Sequence, residues 1–580
     1  DGTEITVPLK GEWKAGTTRT YKLSQTTSTW TYTLTPTDPS RAANFDETQS
    51  QAYGITSYRE DPVTHQQQAV AWKVVGYDAN GDGTFSMAEK PAWLTSLSKT
   101  EGDGGTAADQ GTATLTKDVT DFLAKRNKAL KDATALGSSS APYDLSTKGG
   151  SVNRSTANSY VISAPGHYRI PLVYGNAIEN GATNTNSYIS SAPVTMVDGR
   201  DVILHNFQDH AGHAIDDPWI EKTNGGANAS VDGAEVVWAD AADLVHSPSI
   251  THVGGEGFLD FEVKASDIQS GNAVVAVKKG GTTVWSWHLW FAPKDALNKI
   301  KVTNHQNKDY YFTKEALGWK PTQWSGSTYS SARTVKVKVE QTVANNGTKA
   351  YTVINITQKP GSVKRGATTF YQFGRKDAFP GVAKADLASN SHFTENAGGN
   401  MSIENGIQHP DNFYTWGGGW QNNYSYYNNL WSADNTTTGY NDNPVVKTVY
   451  DPCPVGFKMP APNAFTGFTT TGNKSTTQSE FNVDGTDNSQ TYQNNFGYNF
   501  WTSSSKTATI YFPALGCRYF STGSLSFGSV SFVGNYGVYW AAVPGVDRNT
   551  GRHLEFTSGH VSPLDRSNRA FGVPARPVSE

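Results

Sequence analysis

The chain is 580 residues long, too long for one hydrophobic core, and at roughly 150 residues per domain it should hold about three to five of them. Its 48 Lys and Arg against 52 Asp and Glu leave a net charge of -4, which excludes both the basic footprint of a nucleic-acid binder and an acidic tail. Only 17% of residues are charged while Gly reaches 56, Tyr 27 and Trp 16, a composition of short strands, polar turns and aromatic anchors rather than of helices or disorder.

The chain opens Asp1-Gly2-Thr3 without a charged-then-apolar leader, so any export signal or lipid anchor is expected to have been removed or to lie upstream. The longest apolar runs, near 273–277 and 283–292, fall well short of the roughly 20 residues that span a bilayer. Residues 1–37 alternate around Trp13, Tyr21, Leu23, Trp30, Tyr32 and Leu34 as half-buried strands do. So short a piece cannot cover its own apolar face; it pairs with a later domain or, the reading preferred here, is the remnant of an upstream one.

The next region, 38–147, carries strands at 71–77 and 112–116, with Lys90-Pro91 leading into Ala92-Trp93-Leu94. Residues 118–132 form the best helix candidate, Phe122, Leu123 and Leu130 making an apolar stripe and Asp118 the N-cap. The third region, 148–300, ends in Trp285-Ser286-Trp287-His288-Leu289, where a period of two puts Trp285, Trp287 and Leu289 in the core and His288 toward solvent. Before it, 273–277 and 282–287 read as a hairpin closed by Lys278-Lys279-Gly280-Gly281. In the last region, 301–580, Val335, Val337 and Val339 alternate with Lys336 and Lys338, and 351–356 answers across Asn345-Asn346-Gly347, a hairpin near 333–358. From about 362 the chain is rich in Asn, Tyr, Phe, Trp and Gly and should be largely loop.

The sharpest local motif is Asp78-Ala79-Asn80-Gly81-Asp82-Gly83 with Glu89 behind it, the spacing of a calcium loop. A strand before it and Lys90-Pro91 after it do not suit paired helices, and an Asn/Asp/Gly-rich hairpin turn is the competing reading. His205, Asp209, His210 and His213 form the densest imidazole cluster, but 209–212 reads as loop, and scattered surface histidines are expected rather than zinc. No Gly-x-Ser-x-Gly elbow, His-Glu-x-x-His helix or cysteine-nucleophile signature is present, so no enzyme is expected. Phe413, Tyr414, Trp416, Trp420, Tyr424, Tyr426, Tyr427 and Trp431, interleaved with Asn412, Asn422, Asn423, Asn428 and Asn429, are candidates for a sugar platform, with Trp416, Trp420, Tyr424, Tyr427 and Trp431 as its core. The alternative is that these rings are the interior of a loop-rich fold and the amides serve its backbone.

Three ordered runs, Thr156-Ala157-Asn158-Ser159-Tyr160-Val161-Ile162, Pro171-Leu172-Val173-Tyr174-Gly175-Asn176-Ala177 and Gly271-Asn272-Ala273-Val274 with Trp285-Ser286-Trp287-His288, resemble fimbrillin-family surface proteins of Bacteroidota. Trp72-Lys73-Val74 with Lys90-Pro91-Ala92-Trp93-Leu94-Thr95 is similar to the BACON-type immunoglobulin-like sandwich. Tyr371-Gln372-Phe373-Gly374-Arg375-Lys376-Asp377, Asp451-Pro452-Cys453-Pro454 and Pro513-Ala514-Leu515-Gly516-Cys517-Arg518 resemble the FISUMP module, a C-type-lectin-like fold.

These resemblances imply a mainly β chain of tandem immunoglobulin-like or transthyretin-like sandwiches followed by a loop-rich C-type-lectin-like α+β module. They imply cell-surface adhesion as a pilus tip or accessory fimbrial subunit at the outer-membrane exterior. Its partners would be other subunits joined by strand donation and a host or matrix glycan or protein ligand. Anchoring would run through the pilus or a lipid, and no cofactor is needed unless the loop takes calcium. The alternative is a glycan-binding lipoprotein of a polysaccharide capture system. The family's calcium triplets Glu-Pro-Asn, Gln-Pro-Asp and Trp-Asn-Asp are absent, and so is the terminal cysteine that pairs in many members, Ala575-Arg576-Pro577-Val578 standing there. Cys453 is then either free or bridged to Cys517, the bridge requiring Cα atoms within about 7 Å.

Overall fold

In the computed structural model, which describes residues 14–18, 20, 30–485, 492 and 496–580, Arg333–Asn345 and Thr348–Lys359 form the hairpin that their alternation predicts. Asn346 and Gly347 take positive φ of 50° and 83°, the two-residue primed turn that matches strand twist. Val335, Val337, Val339, Ile354 and Ile356 are buried, while Lys338 lies outside over the Tyr351 ring.

This hairpin does not belong with the C-terminal residues, contrary to expectation. Arg333–Asn345 pairs with Trp72–Asp78, and Thr348–Lys359 with Ala43–Asn44. The chain accordingly divides into Asp1–Val119 with Ser327–Gly361, and Thr120–Gly326 with Ser362–Glu580. Alternation shows that a hairpin face must be covered; it does not show by what.

The first unit is a sandwich. One sheet runs Thr31–Thr37, Gln49–Glu60, Gly105–Leu115, Leu94–Leu97, and the other Ala43–Asn44, Thr348–Lys359, Arg333–Asn345, Trp72–Asp78, Glu101–Gly102. Between them lie Tyr53, Ile55, Trp72, Leu94 and Leu115 with the hairpin's five aliphatic residues. Thr31–Thr37 pairs along its length with Gln49–Glu60, so this strand is an integral part of the sandwich rather than a leftover piece. Trp13, Tyr21 and Leu23 lie outside the described residues.

The second unit carries a four-stranded sheet of Ser159–Ile162, Thr282–Phe291, Gly271–Lys279 and Gly233–Ala239, facing another of Tyr143–Asp144, Gly166–Pro171, Glu256–Val263 and His246–Val253. The expected hairpin is present, with Gly280 and Gly281 at φ 55° and 82°. Trp285, Trp287 and Leu289 face one core as predicted. His288, expected in solvent, is 2% exposed, because the opposite face of its strand is covered too: Val274, Ala276 and Trp290 belong to a core shared with Phe312, Tyr371 and Trp540. Its Nε2 lies 2.9 Å from Asn272 Oδ1 and its Nδ1 3.0 Å from the Tyr371 hydroxyl. Burial pushes the imidazole down to about 3, so it stays neutral. The regions expected as separate domains at 148–300 and 301–580 thus form one unit apart from Ser327–Gly361, and that unit also takes in 120–147, expected with the preceding sandwich.

The predicted helix is Phe122–Asp132, and its cap is Asp121, whose Oδ1 accepts the Ala124 N–H at 2.8 Å. Asp118 serves the first unit instead, accepting the Thr328 N–H at 2.7 Å and its hydroxyl at 2.8 Å. Helix entry is delayed because Thr120–Asp121 pairs with Lys320–Gly326. Among the described residues no helix is long and apolar enough to cross a membrane.

Candidate ligand-binding surface

The residues expected to make a sugar platform divide by exposure. Phe413, Trp420 and Trp431 are fully buried, and Tyr414 and Tyr424 nearly so; Trp416, Tyr426 and Tyr427 are half-buried. Trp420 donates to the Tyr414 carbonyl at 3.2 Å and Trp431 to the Tyr450 carbonyl at 3.1 Å, as interior indoles do. Asn429 exchanges hydrogen bonds with the backbone of Leu204, accepting from its N–H at 2.8 Å and donating to its carbonyl at 3.0 Å. Phe413, Tyr414, Trp420, Tyr424 and Trp431 are core and Asn429 is loop support, while Trp416, Tyr426 and Tyr427 keep part of their surface exposed; a composition rich in rings does not say which rings are interior.

Beneath it lies a buried charge cluster. Asp377 accepts from Lys376 at 2.5 Å, from Arg375 at 3.0 Å and from the Ser286 hydroxyl at 3.0 Å, all four residues being buried. Burial pushes this carboxyl up, but the Lys376 and Arg375 charges outweigh it and hold it below its ordinary range. The cluster leaves no room for a ligand and acts as a structural fastening.

In the calcium-spaced loop, Asp78 Oδ1 accepts the Gly81 N–H at 2.6 Å and Oδ2 the Gly83 N–H at 3.2 Å. Asn80 Oδ1 accepts from Asp82 at 2.9 Å and Asp82 Oδ1 from Thr84 at 2.7 Å. Gly81 and Gly83 sit at φ 80° and 83°, which only glycine tolerates cheaply. Glu89 ends the short turn Met87–Glu89, its Oε2 buried without a partner among the described residues. Asp78, Asn80 and Asp82 are each engaged by a backbone N–H, as in the hairpin-turn reading. Asp78→Ala is expected to destabilise the first unit by about 1–3 kcal/mol, measured by denaturant unfolding in chelator. Calcium added back separates the two readings: the ligand spacing predicts a higher unfolding midpoint that Asp82→Ala removes, a plain turn predicts none.

His205 pairs with Asp201 at 2.7 Å, while Asp209 is buried and accepts the N–H groups of Ala211 and His213, each at 2.9 Å. Burial lowers the His210 pKa. Among the described residues no three His, Cys, Asp or Glu side chains gather as a metal site. Cys453 and Cys517 are both free and buried, so the bridged alternative is not the one adopted; burial pushes both thiols up, disfavouring the thiolate.

A different aromatic surface is accessible. Tyr519, Phe520, Phe532, Tyr536 and Phe571 are half-buried, and Phe527, on the turn between Ser526–Phe527 and Val530–Ser531, is 60% exposed. The Tyr519 ring sits 4.8 Å from Phe520, 4.9 Å from Phe527 and 5.4 Å from Phe571, and Phe520 lies 5.0 Å from Phe571. These rings form a continuous shelf. Its members are spread from 519 to 571, and no local period in the sequence marks them as neighbours.

No family model, no curated protein and no solved structure matches this chain.

Proposed function

We propose that this chain is an adhesive cell-surface subunit, a tip or accessory component of a fimbrillin-type pilus, whose second unit contacts a host or matrix ligand through the aromatic shelf. The observation that supports it is the shelf itself: contiguous rings, one of them 60% exposed and the others half-buried, gathered at one place on the second unit. Residues 301–580, without the hairpin segment Ser327–Gly361, are read as its C-type-lectin-like module. Thr31–Thr37 stands at the edge of its sheet among the described strands, the place where strand addition operates. The reading needs no cofactor and no enzymatic step.

A glycan and host-matrix array probed with the full chain tests it. Tyr519→Ala combined with Phe527→Ala should weaken captured-ligand binding about thirtyfold, the loss of about 2 kcal/mol typical of an aromatic anchor, with the unfolding midpoint followed in parallel because Tyr519 is half-buried. Failure of the full chain to bind any surface would overturn the adhesive reading.

A further inference from the structure

Lys320–Gly326 pairs antiparallel with Ser362–Ala367 in a register that sets Trp324 opposite Lys364. Cross-strand partners share a face, and Lys364 Nζ lies 4.3 Å from the Trp324 ring centroid. Tyr511 brings a second ring to 4.7 Å and Trp319 a third to 5.8 Å. These residues line a groove formed by two adjoining cavities of about 270 and 280 Å³. The first also reaches Asn499 and Thr509; the second runs past Arg365 to Ser531, Val533 and Gly534, the segment that carries the shelf residue Phe532.

Charge around Lys364 does not balance. Arg126, Arg576 and Lys314 face it together with the Glu315 carboxylate. That carboxylate is held by Arg126 in a two-point pair at 2.7 and 2.8 Å. Lys314 turns to Asp295 at 2.5 Å, and Arg576 donates to the carbonyls of Thr313, Lys314 and Tyr511. Lys364 has no hydrogen-bond or ion-pair partner among the described residues. Trp319, 2% exposed, likewise holds an indole Nε1 with no acceptor among them. Buried polar groups are ordinarily paired, so the buried Trp319 donor, lining the groove beside a half-buried Lys364 whose contacts are rings, marks the place of a missing acceptor.

We propose that this groove binds a carboxylate-bearing sugar unit of an anionic glycan, with Lys364 taking the carboxylate, the Trp324 and Tyr511 rings flanking the pyranose, and Asn499 and Thr509 meeting its hydroxyls. The proposal rests on the adhesive reading and names its ligand class. A neutral sugar would leave the cation unpaired; a free anion would leave the aromatic walls unused. Burial also pushes Lys364 down to about 8, with Glu315 opposing and Arg126, Arg576 and Lys314 adding to the fall. The charged form that the ligand needs is therefore lost as pH rises through that value.

The test is calorimetric titration of the full chain with tetragalacturonate, its methyl ester, maltotetraose and inorganic sulfate. The free acid should bind at least tenfold more tightly than the ester or the neutral sugar, and its affinity should fall roughly tenfold between pH 7 and 9. Lys364→Met should remove the preference for the acid, and Lys364→Arg should keep it while flattening the pH profile, each checked against an unchanged unfolding midpoint. Equal affinity for acid and ester, no binding of the acid, or sulfate alone matching the acid overturns the proposal, and the ester comparison on the unaltered protein stands even if a variant misfolds. Surface adhesion that soluble tetragalacturonate does not compete would overturn this ligand class while leaving the adhesive reading standing.

Discussion

Excising Ser327–Gly361 and joining Gly326 to Ser362 through an Asn-Gly turn is expected to unfold the first unit and leave the second folded. Gly326 and Ser362 are register partners at the end of an antiparallel pair, so a two-residue turn closes the cut without distorting the second unit. The cost falls elsewhere. Val335, Val337, Val339, Ile354 and Ile356 leave the first core, and Trp72–Asp78 loses the strand beside it. At about 1.5–3 kcal/mol for each buried aliphatic side chain the loss is roughly 10 kcal/mol, the whole stability of an ordinary domain. Calorimetry should show one of two transitions gone, and proteolysis should clear residues 30–119 first. Two transitions surviving the excision would refute the assignment of the hairpin to the N-terminal sandwich.

Local geometry was legible in the sequence and coverage was not. The turns at Asn345-Asn346-Gly347 and Lys278-Lys279-Gly280-Gly281 stand where the residues that tolerate positive φ stand, and both hairpins follow. The Trp285, Trp287 and Leu289 face is core because alternation is a property of the strand alone. What lies against the other face is a property of the fold, and His288 departs from the expected solvent position for that reason, its cover including Tyr371 from a distant segment. The same limit applies to the candidate site. Trp420 and Trp431 look like a binding platform in a ring-rich loop and are interior, while the accessible shelf gathers Tyr519, Phe527 and Phe571 from separated segments. Lys364 shows the intermediate case: a lysine in a strand is unremarkable until the register brings Trp324 opposite it.

Asp377→Asn should be among the most damaging single changes in the second unit. The substitution keeps the shape and removes the carboxylate that Arg375 and Lys376 share, leaving two buried cations, 2% and 3% exposed, with no other ion-pair partner among the described residues. Breaking one partner out of a buried pair costs about 3–5 kcal/mol, more than the pair contributes when whole. The position also matters. Lys376 Nζ donates to the Ser286 hydroxyl at 2.6 Å and lies 4.5 Å from the Trp285 ring centroid, so the cluster fastens the strand Thr282–Phe291 to the segment that follows residue 370. Denaturant unfolding should therefore show the whole second unit losing stability in one transition; if 148–300 unfolds independently of 362–580, the single-unit account fails. Acid adds a second reading. Asp377 has a folded pKa below its unfolded value, so its contribution is fully present above about pH 4, the ordinary aspartate range, and is lost as pH falls through the folded value. Stability of the native chain should fall more steeply below pH 4 than that of Asp377→Asn, the two curves converging as the carboxylate protonates. Parallel curves at low pH would mean that Asp377 is not ionised in the folded protein, and that the two cations are balanced by some other group.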